Sequence, residues 1–228
     1  MRFYPLLLCA LLAACSSQTP SEQANKTDSA AAQTTSQGGA KPAPEKIVPK
    51  GEFADIDVAK SQQAMEAIQQ GKGETVNTIM KAPNDYTPEV LYLVSAIMFQ
   101  NKYQDEAVFW FYTAELRARS DANKSGDKTA HSVVNQLNQF FGANIVPYSL
   151  SNPERLKAVI DQVLKSDAEQ KRNYDPRWIA LLSKDVLTET QIKFYPKEKW
   201  PEIDALTRNQ FRQAIDQALA NTAQPAAK

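Results

Sequence analysis

Phe109, Trp110, Phe111 and Tyr112 are consecutive in a stretch, Gln104 to Ala122, that holds neither glycine nor proline. No other feature constrains the fold as tightly. On the 3.6-residue period of an α-helix, consecutive aromatics put apolar surface on every side of the rod. A helix apolar all round is normally enclosed by others. The expectation is a central helix whose rings serve the core; an exposed aromatic edge used for binding is the alternative.

Flanking stretches supply the enclosing helices. Pro88 to Lys102 carries Val90, Leu91, Leu93, Val94, Ile97 and Met98, with Thr87 as cap and Pro88 at the first helical position. A further stripe holds Ala130, Val133, Val134, Leu137, Phe140 and Phe141, and Gly142 is its expected stop. Asn152 and Pro153 open another, with Leu156, Val159, Ile160, Val163 and Leu164 on one face. Asp175-Pro176 and the Thr188-to-Gln191 capping box read as starts of short helices. A last long helix enters at Pro201 with Ile203, Leu206, Phe211, Ile215 and Leu219, and a weaker one spans Ile56 to Gln70. Strand-like alternation is absent. The fold class expected is all-α: one helical bundle, or a short solenoid-like array of hairpins, over residues 51–222, with a disordered tail at 223–228.

The N-terminus has a different character. Arg2 precedes an apolar run of about a dozen residues, too short for the ~20 that cross a bilayer, and small residues follow, the pattern of a secretory signal peptide. Leu12-Ala13-Ala14-Cys15 resembles the lipobox of bacterial lipoproteins. That resemblance implies cleavage after residue 14, lipidation of Cys15, and, with Ser16 in place of an acidic residue, sorting to the outer membrane facing the periplasm. The lipid is the only membrane contact expected. Cys9 lies in the discarded segment, so the mature chain keeps no free thiol. Residues 15–50 hold no aromatic and read as a flexible tether, with an r.m.s. span of roughly 30–35 Å. Loss of Arg2 from the 26 basic side chains leaves 25 against 26 acidic ones, which recommends no nucleic acid as partner.

A second resemblance lies in the first hairpin. Tyr92-x-x-x-Ala96-x-x-Phe99, Lys102-Tyr103-x-Asp105-Glu106-Ala107 and Phe111-x-x-Ala114 are similar to one tetratricopeptide or Sel1-type unit. Small residues at Ala96, Ala107 and Ala114 would let two helices approach closely. The turn is one residue longer than in the usual repeat, and no copy follows at the ~34-residue period.

Catalytic constellations are sparse in the sequence. Thiol chemistry has no mature cysteine to use. The single histidine, His131, shares a line with Asn135 and Asn138 opposite the apolar stripe and reads as a solvated side chain, without a second histidine for a metal pair. Ser125-Gly126-Asp127-Lys128 fits S-x-x-K, but the S-D-N and K-T-G elements of penicillin-binding enzymes do not accompany it. Asp121-x-Asn123-x-Ser125-Gly126-Asp127-x-Thr129 resembles the first nine positions of an EF-hand loop, with Ser132 where a bidentate glutamate should stand. Asp127 capping the next helix explains the same residues. No metal, no cofactor and no enzymatic activity are expected, although carboxylates from distant helices leave no linear motif.

What remains is binding. Glu115 lies four residues before Arg119, and Arg117 four before Asp121, spacings that suit surface ion pairs of about 0.3–0.5 kcal/mol. Arg117 also shares a line with Trp110, so Trp110, Arg117 and Arg119 form the expected partner-binding set, of residue types enriched at hot spots. The aromatic helix, Leu116-Arg117-Ala118-Arg119 and Asp121-Ala122-Asn123 resemble small immunity lipoproteins paired with antibacterial lipase effectors. The resemblance implies a protein partner of that type, delivered by a secretion system. An accessory role in envelope or secretion-machine assembly is the alternative.

Overall fold

The computed structural model of the chain describes residues 48–223. The signal peptide, Cys15, Ser16, most of the expected tether and nearly all of the expected tail lie outside the described residues. Within them the fold is all-α: helices, short 3-10 turns, no strand and a lone antiparallel bridge between Ser125 and Phe194. The α-helices are α1 (Ala59–Gln69), α2 (Glu74–Lys81), α3 (Pro88–Gln100), α4 (Gln104–Lys124), α5 (Ala130–Leu150), α6 (Pro153–Glu169) and α7 (Trp200–Ala223). None of them is long and apolar enough to cross a membrane.

The aromatic stretch forms α4, and the other helices are arranged around it. At 1.5 Å per residue its 21 residues span about 31 Å. It packs against α3, α5, α6, α7 and a 3-10 segment at Pro176–Leu182. Ala107, Ala114, Ala118 and Ala122 are buried, so neighbouring backbones come close. Phe111 and Tyr112 are buried too, whereas Phe109 and Trp110 are half-exposed. The hairpin with α3 turns through Lys102, at φ +73°. Thr87 sits extended at the α3 N-cap without a side-chain cap bond; its own N–H donates to Ser61 Oγ at 2.9 Å. Side chains of Asn152 and Asp175 do cap, accepting from the N–H groups of Arg155 and Arg177.

Several sequence expectations are overturned. Gly142 does not end its helix: α5 runs on through Pro147 to Leu150. A Cβ at residue 142 would lie 2.9 Å from Phe111 Cζ and 3.0 Å from Val146 Cγ2. The glycine therefore serves close contact with α4. Its cost within a helix is about 1 kcal/mol, and Ile145 and Ser149 beyond it are buried, which keeps the helix going. No helix follows Thr188. Pro196 leaves little more than one turn after Gln191, and the segment instead runs along the end of α4, with Tyr195 N donating to Lys124 O at 2.8 Å and Gly126 N to Lys193 O at 2.6 Å. Its Ile192 and Phe194 pack on a small cluster of Phe53, Ile56 and Ala180. There Gly51, at φ +56°, is in contact with Thr190, where a Cβ would meet the carbonyl oxygen at 2.2 Å. Leu206 is 55% exposed, because the inner line of α7 runs Ile203, Thr207, Phe211, Ile215 and Leu219 at spacings of four, with Ile203 and Ile215 half-buried. Helix α2, only eight residues long although amphipathic, and the 3-10 turns at Gly51–Asp55 and Pro83–Asp85 were not expected.

Candidate functional site

Two clefts lie beside α4; Arg119 lines the first, and Arg117 lines neither. In the first, α4 is the floor and α5 and α7 are the walls. The groove has a volume of about 460 Å³. One end is apolar, lined by Phe111, Val146, Leu150, Phe211 and Ile215, with Leu156 of α6 beside them. Tyr112 fixes this end, its hydroxyl 2.9 Å from Ser149 Oγ and its ring edge-on to Phe211. Burial pushes the Tyr112 phenol up to about 12, so it stays neutral. At the other end are Arg119, Asn123, His131 and Thr207, with Asn123 Nδ2 donating to Thr207 Oγ1 at 2.8 Å.

Arg119 is held in place from below. Its Nε and Nη2 donate to Glu115 Oε1 at 3.0 and 2.6 Å. The same oxygen accepts from Asn138 Nδ2 at 2.7 Å, and Asn138 Oδ1 accepts from the buried Tyr92 hydroxyl. Burial holds the Tyr92 phenol well above its ordinary range. Asn138 thus departs from the solvent line expected for it: it lies four residues after Val134 and three before Phe141, on the buried stripe itself. His131 and Asn135 are exposed as expected. The expected Glu115–Arg119 pair is present, and the Arg119 side chain is still 42% exposed.

Arg117 faces the other way and is only 1% exposed. The reading of it as a surface contact is wrong: Arg117 lies on a part of α4 covered by its neighbours, together with Ala114, Ala118 and Asp121. Its expected pair with Asp121 does not form either. Arg117 Nη2 donates to Asn84 Oδ1 at 2.6 Å, and Nε lies 3.6 Å from Asp167 Oδ1. Asp121, fully buried, accepts from Tyr174 Oη and Trp178 Nε1, each at 2.9 Å, and neighbours Lys124 Nζ and Arg172 Nη1 at 3.3 and 3.4 Å. Burial pushes its carboxyl up against the pull of those two cations. Asp167 takes Arg172 through both oxygens, at 2.8 and 2.9 Å, and Arg208 at 3.0 Å. Asp204 accepts from Lys124 Nζ at 2.8 Å and from Ser120. Although burial opposes its charge, Arg172 and Lys124 hold Asp204 below the usual carboxylate range.

Of the expected partner-binding residues, then, Arg119 lines a groove, Trp110 is half-buried with its ring edge-on to Phe109, and Arg117 is internal. The structure does not bring the three together. Nor is Asp121 available to the Ser125–Thr129 loop, since it lies inside α4 and faces the core. The loop holds itself: Asp127 Oδ1 accepts Thr129 N at 2.8 Å and Ser125 Oγ accepts Asp127 N at 3.1 Å. Among the described residues no three acidic, histidine or cysteine side chains are placed to hold a metal ion. No protein-family model, curated protein or solved structure matches the chain.

Proposed function

We propose that the chain is a protein-binding module, carried on a lipid anchor at Cys15 at the periplasmic face of the outer membrane, that neutralises a toxic effector delivered by a neighbouring cell. Inhibition would be by occlusion, with no chemistry from this chain. The single observation that best supports the reading is Arg119 at the mouth of the α4 groove. Glu115, itself held by Asn138, fixes two of its guanidinium nitrogens, yet the side chain stays 42% exposed. An arginine whose rotamer is already fixed loses little entropy when a partner meets it, and such pre-ordered arginines are common binding anchors.

The test is a titration of the mature chain with the toxin encoded beside its gene, where a lipase-type effector is expected. One-to-one binding and loss of toxin activity are the expected results. Arg119→Gln should weaken binding at least tenfold, a change of about 1.4 kcal/mol; because Glu115 beneath it is buried and keeps only Asn138 as a partner, the melting temperature should fall too, and the affinities are compared well below it. If the variant binds like the wild type, the groove is not the contact. If a deletion strain resists every sister-cell effector but assembles its envelope poorly, the accessory role is the correct one.

A further inference from the structure

The buried ionic cluster is one carboxylate short. Among the described residues, Arg117, Lys124, Arg172 and Arg208 face only Asp121, Asp167 and Asp204. The deficit is concentrated at Arg117. Its one hydrogen bond goes to a neutral amide, Asn84 Oδ1, and its Nε and Nη1 find no acceptor among the described residues. Its nearest carboxylate, Asp167, is already taken by Arg172 and Arg208. An arginine side chain stays charged in proteins, and a buried charged donor without acceptors costs more than a neutral one. Such a group is most economically satisfied by an anion from outside the chain.

A groove of about 790 Å³ opens over this cluster, lined among others by Lys124, Asp167, Gln170, Arg172, Asp204 and Arg208. Asp167 lies beside Arg117, and Gln170 Oε1 accepts from Asn84 Nδ2, so one layer of side chains separates Arg117 from the groove. At the rim Lys60 is neutralised by Asp85, and Asp175 by Arg177. Of the remaining rim charges, Lys171 and Lys197 outnumber Asp57, whose Oδ1 accepts the Ala59 N–H. Trp200 forms an aromatic wall, with Lys124 Nζ 5.6 Å and Lys197 Nζ 5.9 Å from its ring centroid. From rim to floor the cleft has an excess of positive charge, in a chain whose formal net charge is zero.

We propose that this cleft is a binding site for an anionic group, a carboxylate or a phosphate, which enters beside Arg172 and Arg208 and completes the charge of the buried cluster. Two sources share that chemistry: a small free anion, or an aspartate or glutamate side chain of a bound protein. Neither requires the immunity function.

The mature chain is titrated by calorimetry with inorganic phosphate, and separately with a capped penta-glutamate peptide, at fixed ionic strength. At least one ligand should give saturable heat. At one hundred times its Kd it should raise the melting temperature by roughly 5–10 °C. Phosphate alone would identify a free anion, and the peptide alone a protein side chain. Lys171→Glu with Lys197→Glu changes exposed rim positions only, so it should keep the unliganded melting temperature and weaken binding at least tenfold. Arg117→Met removes the buried excess charge; it should fold and lose the ligand-induced shift. The proposal is overturned if neither ligand exceeds sodium chloride of equal ionic strength, or if the rim double variant binds as tightly as the wild type. Should Arg117→Met fail to fold, the rim variant decides alone.

Discussion

Glu89 makes the stability of this domain depend on pH across the neutral range. It stands in the first turn of α3, buried, and its one hydrogen bond is a long contact of 3.4 Å from the Thr87 hydroxyl. No ion pair involves it among the described residues. Burial pushes its carboxyl up to about 7, and the Thr87 hydroxyl pulls back only weakly. The helix N-terminus favours an anion by about 0.3–1 kcal/mol, too little to offset that desolvation. A shift from the ordinary 4.5 to about 7 corresponds to about 3 kcal/mol. The direction follows from proton counts. Below pH 4.5 both folded and unfolded chains hold the proton and the group contributes nothing to the pH dependence. Between 4.5 and about 7 the unfolded chain releases it first, so stability falls as pH rises, and the loss is complete above the folded value. Urea unfolding of the wild type and of Glu89→Gln, from pH 4.5 to 8, isolates this group, because glutamine cannot titrate. The variant should gain on the wild type by about 3 kcal/mol across that range. A stability gap that stays constant with pH would refute the assignment of a buried, unpaired carboxyl.

Three further outcomes are expected. Gly142→Ala should lower the melting temperature: pushing Phe111 and Val146 aside costs about 1–3 kcal/mol, more than the ~1 kcal/mol of helix propensity gained, and a rise would show that α4 and α5 can part freely. Asp121→Asn removes the anion from Lys124 and Arg172 and should cost about 3–5 kcal/mol in urea unfolding; a loss below 1 kcal/mol would mean the cluster does not need it. Cys15→Ser should leave an unacylated precursor absent from the outer-membrane fraction, and normal processing of that variant would remove the lipoprotein reading.

Much of the fold was legible because its signals are local and reinforce each other. The aromatic run demanded enclosure, and α4 is enclosed. Pro88, Pro153 and Pro176 marked helix starts, and each helix begins there. The errors have a common origin in tertiary context. Gly142 has the composition of a stop, yet only the approach of Phe111 from another helix reveals why a glycine is needed inside α5. Thr188-x-x-Gln191 has the composition of a start, but the residues after it are held by the Glu52 carboxylate and by backbone groups of Lys124 and Gly126, up to 140 positions away. Leu206 has the hydrophobicity of a core residue but lies about 100° from the Thr207 line, a distinction that rests on one residue of register.

The sites were less legible, because each is assembled from separate helices. Glu115–Arg119 could be read from its spacing, since both partners lie on one face of one helix. Its second support, Asn138, could have been found by extending the Val134 and Phe141 stripe through the residue between them. For the ionic cluster a usable signal did exist. Once α4 is enclosed, Arg117, Asp121 and Lys124 must be enclosed with it, and buried charges need partners, so oppositely charged side chains had to come from elsewhere in the chain. Which ones is not encoded locally: Asp167, Arg172 and Asp204 lie 43 to 87 positions from those charges. That accounting also carries the argument past the fold. Applied to Asp121 it closes, with two cations and two neutral donors around one carboxylate. Applied to Arg117 it does not, and the unmatched charge lies one side-chain layer beneath an open cleft, where a partner's anion would bind beside Arg172 and Arg208 and offset the excess through space.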